Sequence, residues 1–159
     1  MKVSECMRKR VITLPANATI KDAVDTLARH NISGAPVVDE KGNLVGIISE
    51  TDIFEKLRTE FRELRLVFPN LPLISVSFVE IPKEKKAREI YEELVNTKVS
   101  EIMTKDVVTA SPDDDVGQVI QLMVKHKVNR IPIITDHKIK GIITRGDILK
   151  ALSKGKDER

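Results

Sequence analysis

Residues 46–57 read GIISETDIFEKL, and residues 141–152 read GIITRGDILKAL. Each copy has an apolar strand pattern, then a hydroxyl residue, then an aspartate at the start of a helical pattern. A polar cluster therefore follows the strand beside a helix N-terminus, where backbone N–H groups and the helix dipole favour an anion. A carboxylate there can also accept two hydrogen bonds from a cis-diol, as acidic residues do with nucleotide riboses. We predict two such clusters, related by an internal duplication.

The duplication covers most of the chain. Residues 3–38 align with residues 99–134 without a gap, and a one-residue deletion in the next turn restores the register up to the second motif. The identities spread regularly along the unit, which excludes chance similarity. They fall at Val3, Ser4, Glu5, Met7, Lys9, Val11, Thr13, His30, Pro36, Gly46, Ile47, Ile48, Asp52, Ile53 and Leu57.

Each unit is predicted to run strand, helix, strand, strand, helix. In the first unit we predict a short strand over 11–13, a helix with Thr19 as N-cap and Asp22 as its capping-box partner, and a hairpin over 35–49. In the second unit, Asp115 is the predicted N-cap, and strands over 131–135 and 139–144 flank a turn at 136–138. A helix closes each unit.

The connection between the units is long and patterned. Apolar spacing predicts that the first closing helix continues to about Leu66, and Pro69 and Pro72 then interrupt it. Alternation over 74–78 predicts a strand or an extended segment, and Pro82 is expected to open another helix. The apolar face of that helix is predicted from Ala87, Ile90, Tyr91, Leu94 and Val95. This insert has three open roles: covering a sheet, closing a cleft or making dimer contacts.

Composition excludes several classes of protein. Hydrophobic residues make up 41% and charged residues 32% of the 159 positions, which fits a globular protein and not a disordered one. The net charge of +3 is small and dispersed, so a nucleic-acid groove is not expected. Cys6 is alone, so neither an intramolecular disulfide nor a cysteine zinc site is expected. Without an apolar signal core or a membrane-length run, we expect a cytoplasmic protein with no membrane partner.

The duplicated motifs resemble a tandem pair of CBS domains, also called a Bateman module. The resemblance rests on VSECM and VSEIM, on GAPVVDEKGNLVGIISETD, and on RIPIITDHKIKGIITRGD. It implies an α+β fold of two βαββα units related by a pseudo-twofold axis, with two clefts between the sheets. The patterned insert departs from the short linker that is usual in this family. The units would be residues 1–57 and 99–153, with the extension and insert at 58–98 and a tail at 154–159.

The resemblance also implies a function and a partner. It implies a stand-alone sensor that binds adenosine-containing ligands, namely AMP, ADP, ATP or S-adenosylmethionine, and that performs no catalysis and needs no cofactor or metal. A homodimer and an unknown protein partner are implied as well. By position, Asp52 and Asp147 would hold ribose, Ser49, Thr51 and Thr144 would contact phosphate, and backbone before and within the proline-containing strand would bracket adenine. The implied ligand-binding set is Thr13, Ile32, Ser33, Gly34, Ala35, Pro36, Ser49, Thr51, Asp52, Thr109, Val128, Asn129, Arg130, Ile131, Pro132, Thr144, Arg145 and Asp147.

The two implied sites differ in charge. Arg130 and Arg145 belong to the second site, whereas the first has Gly34 at the position of Arg130. The second also has Gly146 in place of Thr51. We therefore expect the second site to prefer the more phosphorylated ligand.

Simpler interpretations of the same residues remain open. Asp52 and Asp147 would suit a helix N-terminus through the dipole alone, and the arginines would serve as solvated surface charges. The run at 113–115 is better explained by helix capping than by a cation site. A structural interaction module with degenerate clefts is the main functional alternative. An enzyme is a weaker alternative because nothing pairs these aspartates with a nucleophile or a metal.

Overall fold

The fold is mixed α+β, as expected, in a computed structural model that describes residues 1–67 and 85–154. The elements in chain order are α1 (Val3–Cys6), β1 (Leu14–Pro15), α2 (Ile20–His30), β2 (Gly34–Val38), β3 (Leu44–Ser49), α3 (Glu50–Val67), α4 (Lys85–Val95), α5 (Val99–Ile102), α6 (Val116–His126), β4 (Arg130–Thr135), β5 (Lys138–Thr144) and α7 (Arg145–Lys154). One sheet has the strand order β1-β2-β3, and in the other β4 pairs antiparallel with β5. None of the described helices combines the length and apolarity that crossing a bilayer requires.

The helix starts follow from local sequence. The Thr19 N–H donates to Asp22 Oδ2 at 2.9 Å and the Asp22 N–H donates to Thr19 Oγ1 at 3.2 Å, so the predicted capping box is confirmed. Asp115 also caps as predicted, because its Oδ1 accepts from the Gly117 N–H at 2.7 Å. The C-cap residues that follow α2 and α6 are Asn31 and Lys127, which have left-handed φ values of 51° and 53°.

The strand predictions were mostly confirmed, with corrections at the ends. Residues 11–13 were predicted as a strand, but β1 is Leu14–Pro15, because Leu14 is the position that enters the core while Thr13 is exposed. Lys138 belongs to β5 and not to the turn. The turn has two central residues, Asp136 and His137, both with positive φ, which is the type I′ geometry that matches strand twist. Helices α1 and α5 were missed because four residues carry no helical period.

The described residues form two compact units that interleave the sequence repeats. Unit A contains residues 1–13, 38–44 and 106–154, and unit B contains residues 14–37, 45–67 and 85–105. In unit A, Val3 from the start of the first repeat is fully buried in a core with Val119, Ile131 and Ile143 of the second repeat. In unit B, Val99 from the second repeat packs in the core of the first. Each core is therefore completed by the opening segment of the other repeat.

The described part of the insert packs within unit B. Helix α3 ends at Val67, close to the predicted Leu66, and α4 occupies the region where a second helix was predicted. Helix α4 contacts α2 and α3, and its Leu94 joins the core of unit B. The predictions for Pro69, Pro72, residues 74–78 and Pro82 lie outside the described residues.

Candidate functional site

The start of α7 presents a buried carboxylate in unit A. Strand β5 ends at Thr144 and α7 follows without a loop, so Asp147 lies in the first helical turn, three residues after Thr144. Asp147 Oδ2 accepts from the Thr144 N–H at 3.0 Å and from Thr144 Oγ1 at 2.8 Å. The Asp147 N–H donates to Thr144 Oγ1 at 3.3 Å. The spacing from hydroxyl to aspartate thus brings the two side chains into direct contact.

The first repeat builds the same arrangement in unit B. Asp52 Oδ2 accepts from the Ser49 N–H at 2.9 Å and from Ser49 Oγ at 3.1 Å, and the Asp52 N–H donates to Ser49 Oγ at 3.4 Å. The contacts match those of Thr144 and Asp147 atom for atom. The duplication noted in the sequence therefore extends to hydrogen-bond geometry.

Arg8 contacts the Asp147 carboxylate and was absent from the sequence-based site. Its Nε donates to Asp147 Oδ1 at 2.7 Å. The Arg8 backbone is fixed beside β5, because its N–H donates to the Ile142 carbonyl at 2.9 Å and its carbonyl accepts from the Ile142 N–H at 3.0 Å. The repeat-equivalent residue, Thr104, makes the same backbone bridge to Ile47 in unit B. One signal in the sequence could have pointed to Arg8: it is a basic residue at a repeat position where the other copy has the neutral Thr104.

The carboxyl of Asp147 is held in its charged form. The side chain is only 8% exposed, and this burial raises its pKa. Hydrogen bonds from Arg8 and Thr144, together with the charge of Arg8, lower the pKa by more than burial raises it. The net pKa lies below the ordinary value, so the site presents a carboxylate, a hydrogen-bond acceptor, at neutral pH.

A shallow depression of about 250 Å³ lies next to Asp147, between α1 and α7. This volume is below the roughly 300–1,000 Å³ typical of ligand pockets, so the depression is too small to enclose a nucleotide. Burial raises the pKa of the Cys6 thiol, and the charges of Asp147 and Glu5 raise it further, which disfavours the nucleophilic thiolate. The depression is lined by Glu5, Cys6, Asp147, Lys150, Ala151 and Lys154.

The structure brings the residues before each proline-containing strand to the start of the closing helix. The Glu50 N–H donates to the Ser33 carbonyl at 3.0 Å, and the Arg145 N–H donates to the Asn129 carbonyl at 3.1 Å. Ile32 and Val128 are half-buried, and Arg130 is half-buried at the start of β4. The strand residues of the implied adenine segments are buried: Gly34, Ala35, Pro36, Ile131 and Pro132.

Four other residues of the implied set lie at separate positions. Thr51 and Arg145 are exposed in the first turns of α3 and α7. Thr13 is exposed before β1, and Thr109 is half-buried before Ala110, whose backbone pairs with Ile133. Thr13 and Thr109 both belong to unit A, the unit that contains Asp147.

The acidic run at 113–115 is used in local structure. Asp115 caps α6, and the Asp114 carboxylate accepts from the Ser111 N–H at 2.8 Å. Across residues 1–67 and 85–154, no three His, Cys, Asp or Glu side chains come together as a metal site would require.

Known proteins resemble this chain along nearly its whole length. The family model for the CBS domain matches residues 3–59 and again residues 99–154. An uncharacterised protein of Methanocaldococcus jannaschii is 37% identical over 158 residues, covering 96% of this chain and 91% of that protein.

Two solved structures share the fold. The CBS domain pair of protein MJ0100, in complex with 5′-methylthioadenosine and S-adenosyl-L-methionine, is 28% identical, with a TM-score of 0.68 and 98% of both chains covered. CBSX2 in complex with AMP is similar in fold, with a TM-score of 0.71, 22% identity and 98% of both chains covered.

Proposed function

Because the chain belongs to the CBS-domain family and carries a pair of these domains, we propose that it is a regulatory module that binds adenosine-containing ligands without catalysis. The candidate ligands are AMP, ADP, ATP and S-adenosylmethionine. The complex of the MJ0100 domain pair with two adenosine derivatives supports this class of ligand. Binding would act by favouring one of two conformations that a protein partner distinguishes.

The observation that carries the proposal is the pair of matched carboxylates at the starts of α3 and α7. Asp52 and Asp147 each lie in the first turn of a helix that directly follows a strand, and each contacts the alcohol three residues before it within 3.1 Å. A charged carboxylate of this kind forms strong hydrogen bonds to a diol, and the first helical turn nearby favours a phosphate. We propose that each aspartate binds one ribose, with Ser49, Thr51, Thr144 and Arg145 nearest the phosphate.

Calorimetric titration of the full chain tests the proposal. AMP, ADP, ATP and S-adenosylmethionine are titrated into the wild type, Asp52→Asn, Asp147→Asn and the double variant. We expect at least one ligand to bind, each single variant to weaken or remove one class of site, and the double variant to bind nothing. Asp25→Asn is the matched control because Asp25 is exposed in α2, and it should bind as the wild type does. No binding of any ligand at millimolar concentration would overturn the proposal.

A structural interaction module is the second candidate, and one observation favours it. The contacts of Ser49 with Asp52, and of Thr144 with Asp147, are also those of a capping box, so each aspartate stabilises the helix it begins. If this is their only role, the asparagine variants will melt at lower temperature while wild-type protein shows no ligand-induced rise in melting temperature.

A third possibility is an enzyme that acts on a nucleotide. Incubation of the protein with ATP and Mg²⁺ tests it, because the formation of ADP would contradict a non-catalytic role.

We also propose that the protein is a homodimer. The exposed apolar side chains of unit A support self-association: Ile120 and Val124 are one turn apart on α6, and Leu149 and Leu152 lie on α7. Light scattering coupled to size exclusion measures the mass, and a monomer at micromolar concentration would overturn this part of the proposal.

A further inference from the structure

We propose that Arg8 is a specificity-determining residue that makes the Asp147 site select ligands carrying an anionic group. The Arg8 side chain contacts one oxygen of the Asp147 carboxylate, and a ribose that binds through both hydroxyls must displace it. Only a ligand that offers the guanidinium a new anion compensates for that displacement. This inference rests on the proposed function, because it assumes that Asp147 binds a ribose.

The contacts around Asp147 leave little room for a diol. Oδ2 accepts two hydrogen bonds from Thr144, and Oδ1 is engaged by Arg8 Nε at 2.7 Å. A ribose that binds through both hydroxyls needs acceptor positions on this carboxylate. Since the Thr144 bonds also begin helix α7, the Arg8 contact is the one that can be exchanged.

The Arg8 side chain, and not its backbone, would move to free the Asp147 carboxylate. The Arg8 backbone is held by its paired hydrogen bonds to Ile142, and Asp147 is fixed by burial and by Thr144. The Arg8 side chain, by contrast, is 53% exposed, so its guanidinium can turn into solvent without a change in the backbone. The site therefore opens by rotation about side-chain bonds.

Charge decides which ligands succeed. A neutral nucleoside would replace a charge-assisted hydrogen bond with hydroxyl bonds and would leave the guanidinium without an anion. A phosphorylated nucleoside offers phosphate oxygens, which match the planar fork of an arginine. The site is thereby biased towards nucleotides over nucleosides.

The other repeat provides an internal comparison. Thr104 occupies the position of Arg8 and makes the same backbone bridge, but its side chain carries no charge. The Asp52 carboxylate keeps its Ser49 contacts on Oδ2 alone. We therefore expect the Asp52 site to discriminate less between neutral and anionic adenosine compounds than the Asp147 site does.

The experiment measures the ratio of two affinities in the full chain. Asp52→Asn confines binding to the Asp147 site, and adenosine and AMP are titrated with and without Arg8→Ala at one ionic strength. We expect Arg8→Ala to strengthen adenosine binding and not AMP binding, so that the preference for AMP falls about tenfold. Lys9→Ala removes the same charge one residue away and should leave the ratio unchanged. A general loss of stability would weaken both ligands together and could not shift the ratio.

The reciprocal variant keeps the test decisive if Arg8→Ala does not fold. Thr104→Arg in an Asp147→Asn background should raise the preference of the Asp52 site for AMP over adenosine. An unchanged ratio in either folded variant, with both ligands still binding, overturns the role of Arg8 while the proposed function stands. If wild type binds neither adenosine nor AMP, the role of Arg8 is overturned, and if it also binds none of ADP, ATP and S-adenosylmethionine, the proposed function fails with it.

Discussion

Arg8 Nε lies 2.7 Å from Asp147 Oδ1, although the two residues are 139 positions apart in the sequence. One belongs to the opening segment of the first repeat and the other to the closing helix of the second. The equivalent pair in unit B is Thr104 and Asp52, in which the cation is missing. The two copies of the motif are therefore chemically different. The difference lies in the opening segments of the repeats, each of which packs in the core formed by the other repeat.

The Arg8 pair should appear in the acid stability of the protein. The folded pKa of Asp147 is lowered relative to about 3.9 in an unfolded chain, so the carboxyl stabilises the fold above about pH 4. That contribution is lost as pH falls through the folded pKa. We expect Asp147→Asn to lower the free energy of unfolding by about 1–2 kcal/mol near pH 7. Between about pH 5 and pH 2.5, the variant should lose less of its stability than the wild type does. Urea unfolding followed by circular dichroism measures the free energy of unfolding at each pH. Parallel acid profiles of the two proteins would contradict the prediction.

The glycines of the two motifs should respond differently to alanine. A Cβ at Gly141 would meet the Arg8 carbonyl oxygen at 2.9 Å as well as the side chain of Met7, whereas a Cβ at Gly46 would meet the flexible side chain of Met103. A backbone carbonyl can move less than a methionine side chain can. We therefore expect Gly141→Ala to lower the free energy of unfolding by about 1–3 kcal/mol and Gly46→Ala to lower it by less. Equal midpoints in urea for the two variants would argue against this difference.

The left-handed backbone conformation of Lys127, the C-cap of α6, is expected to lower the stability of the protein. Lys127 has a φ of 53°, a conformation that costs most L-residues about 1–2 kcal/mol, whereas the equivalent Asn31 tolerates it. Lys127→Gly should therefore raise stability by about 0.5–1 kcal/mol, measured as a higher melting temperature. Lys125→Gly, an exposed position inside the same helix, is the control and should lower stability by about 1 kcal/mol. A lower melting temperature for Lys127→Gly would count against the interpretation.

The opening segments should contribute to stability through burial. Val3 and Val99 are fully buried, each in the core of one unit. Removing two methyl groups and leaving a cavity should cost about 1.5–3 kcal/mol for either Val3→Ala or Val99→Ala. Val124→Ala, at a position 71% exposed, should change stability by less than about 0.5 kcal/mol. Similar losses in all three variants, measured by urea unfolding, would contradict the assignment of these cores.

Much of the secondary structure could be predicted because it depends on neighbours along the chain. The capping box of Thr19 and Asp22 involves residues three apart, and the hairpins involve strands joined by short turns. Where a local pattern was short, prediction was poorer: the strand expected at 11–13 lies at Leu14–Pro15, and the one-turn helices α1 and α5 were missed.

By itself the sequence determined the duplication, the CBS-domain family, and the contact of each aspartate with the alcohol three residues before it, because all of these follow from spacing within one motif. The tertiary structure alone decided which opening segment completes which core, and that Arg8, rather than Lys9 or Arg10 beside it, reaches Asp147. Those outcomes depend on contacts between residues about a hundred positions apart, and a run of similar basic residues contains no local signal of which one will point at a distant carboxylate.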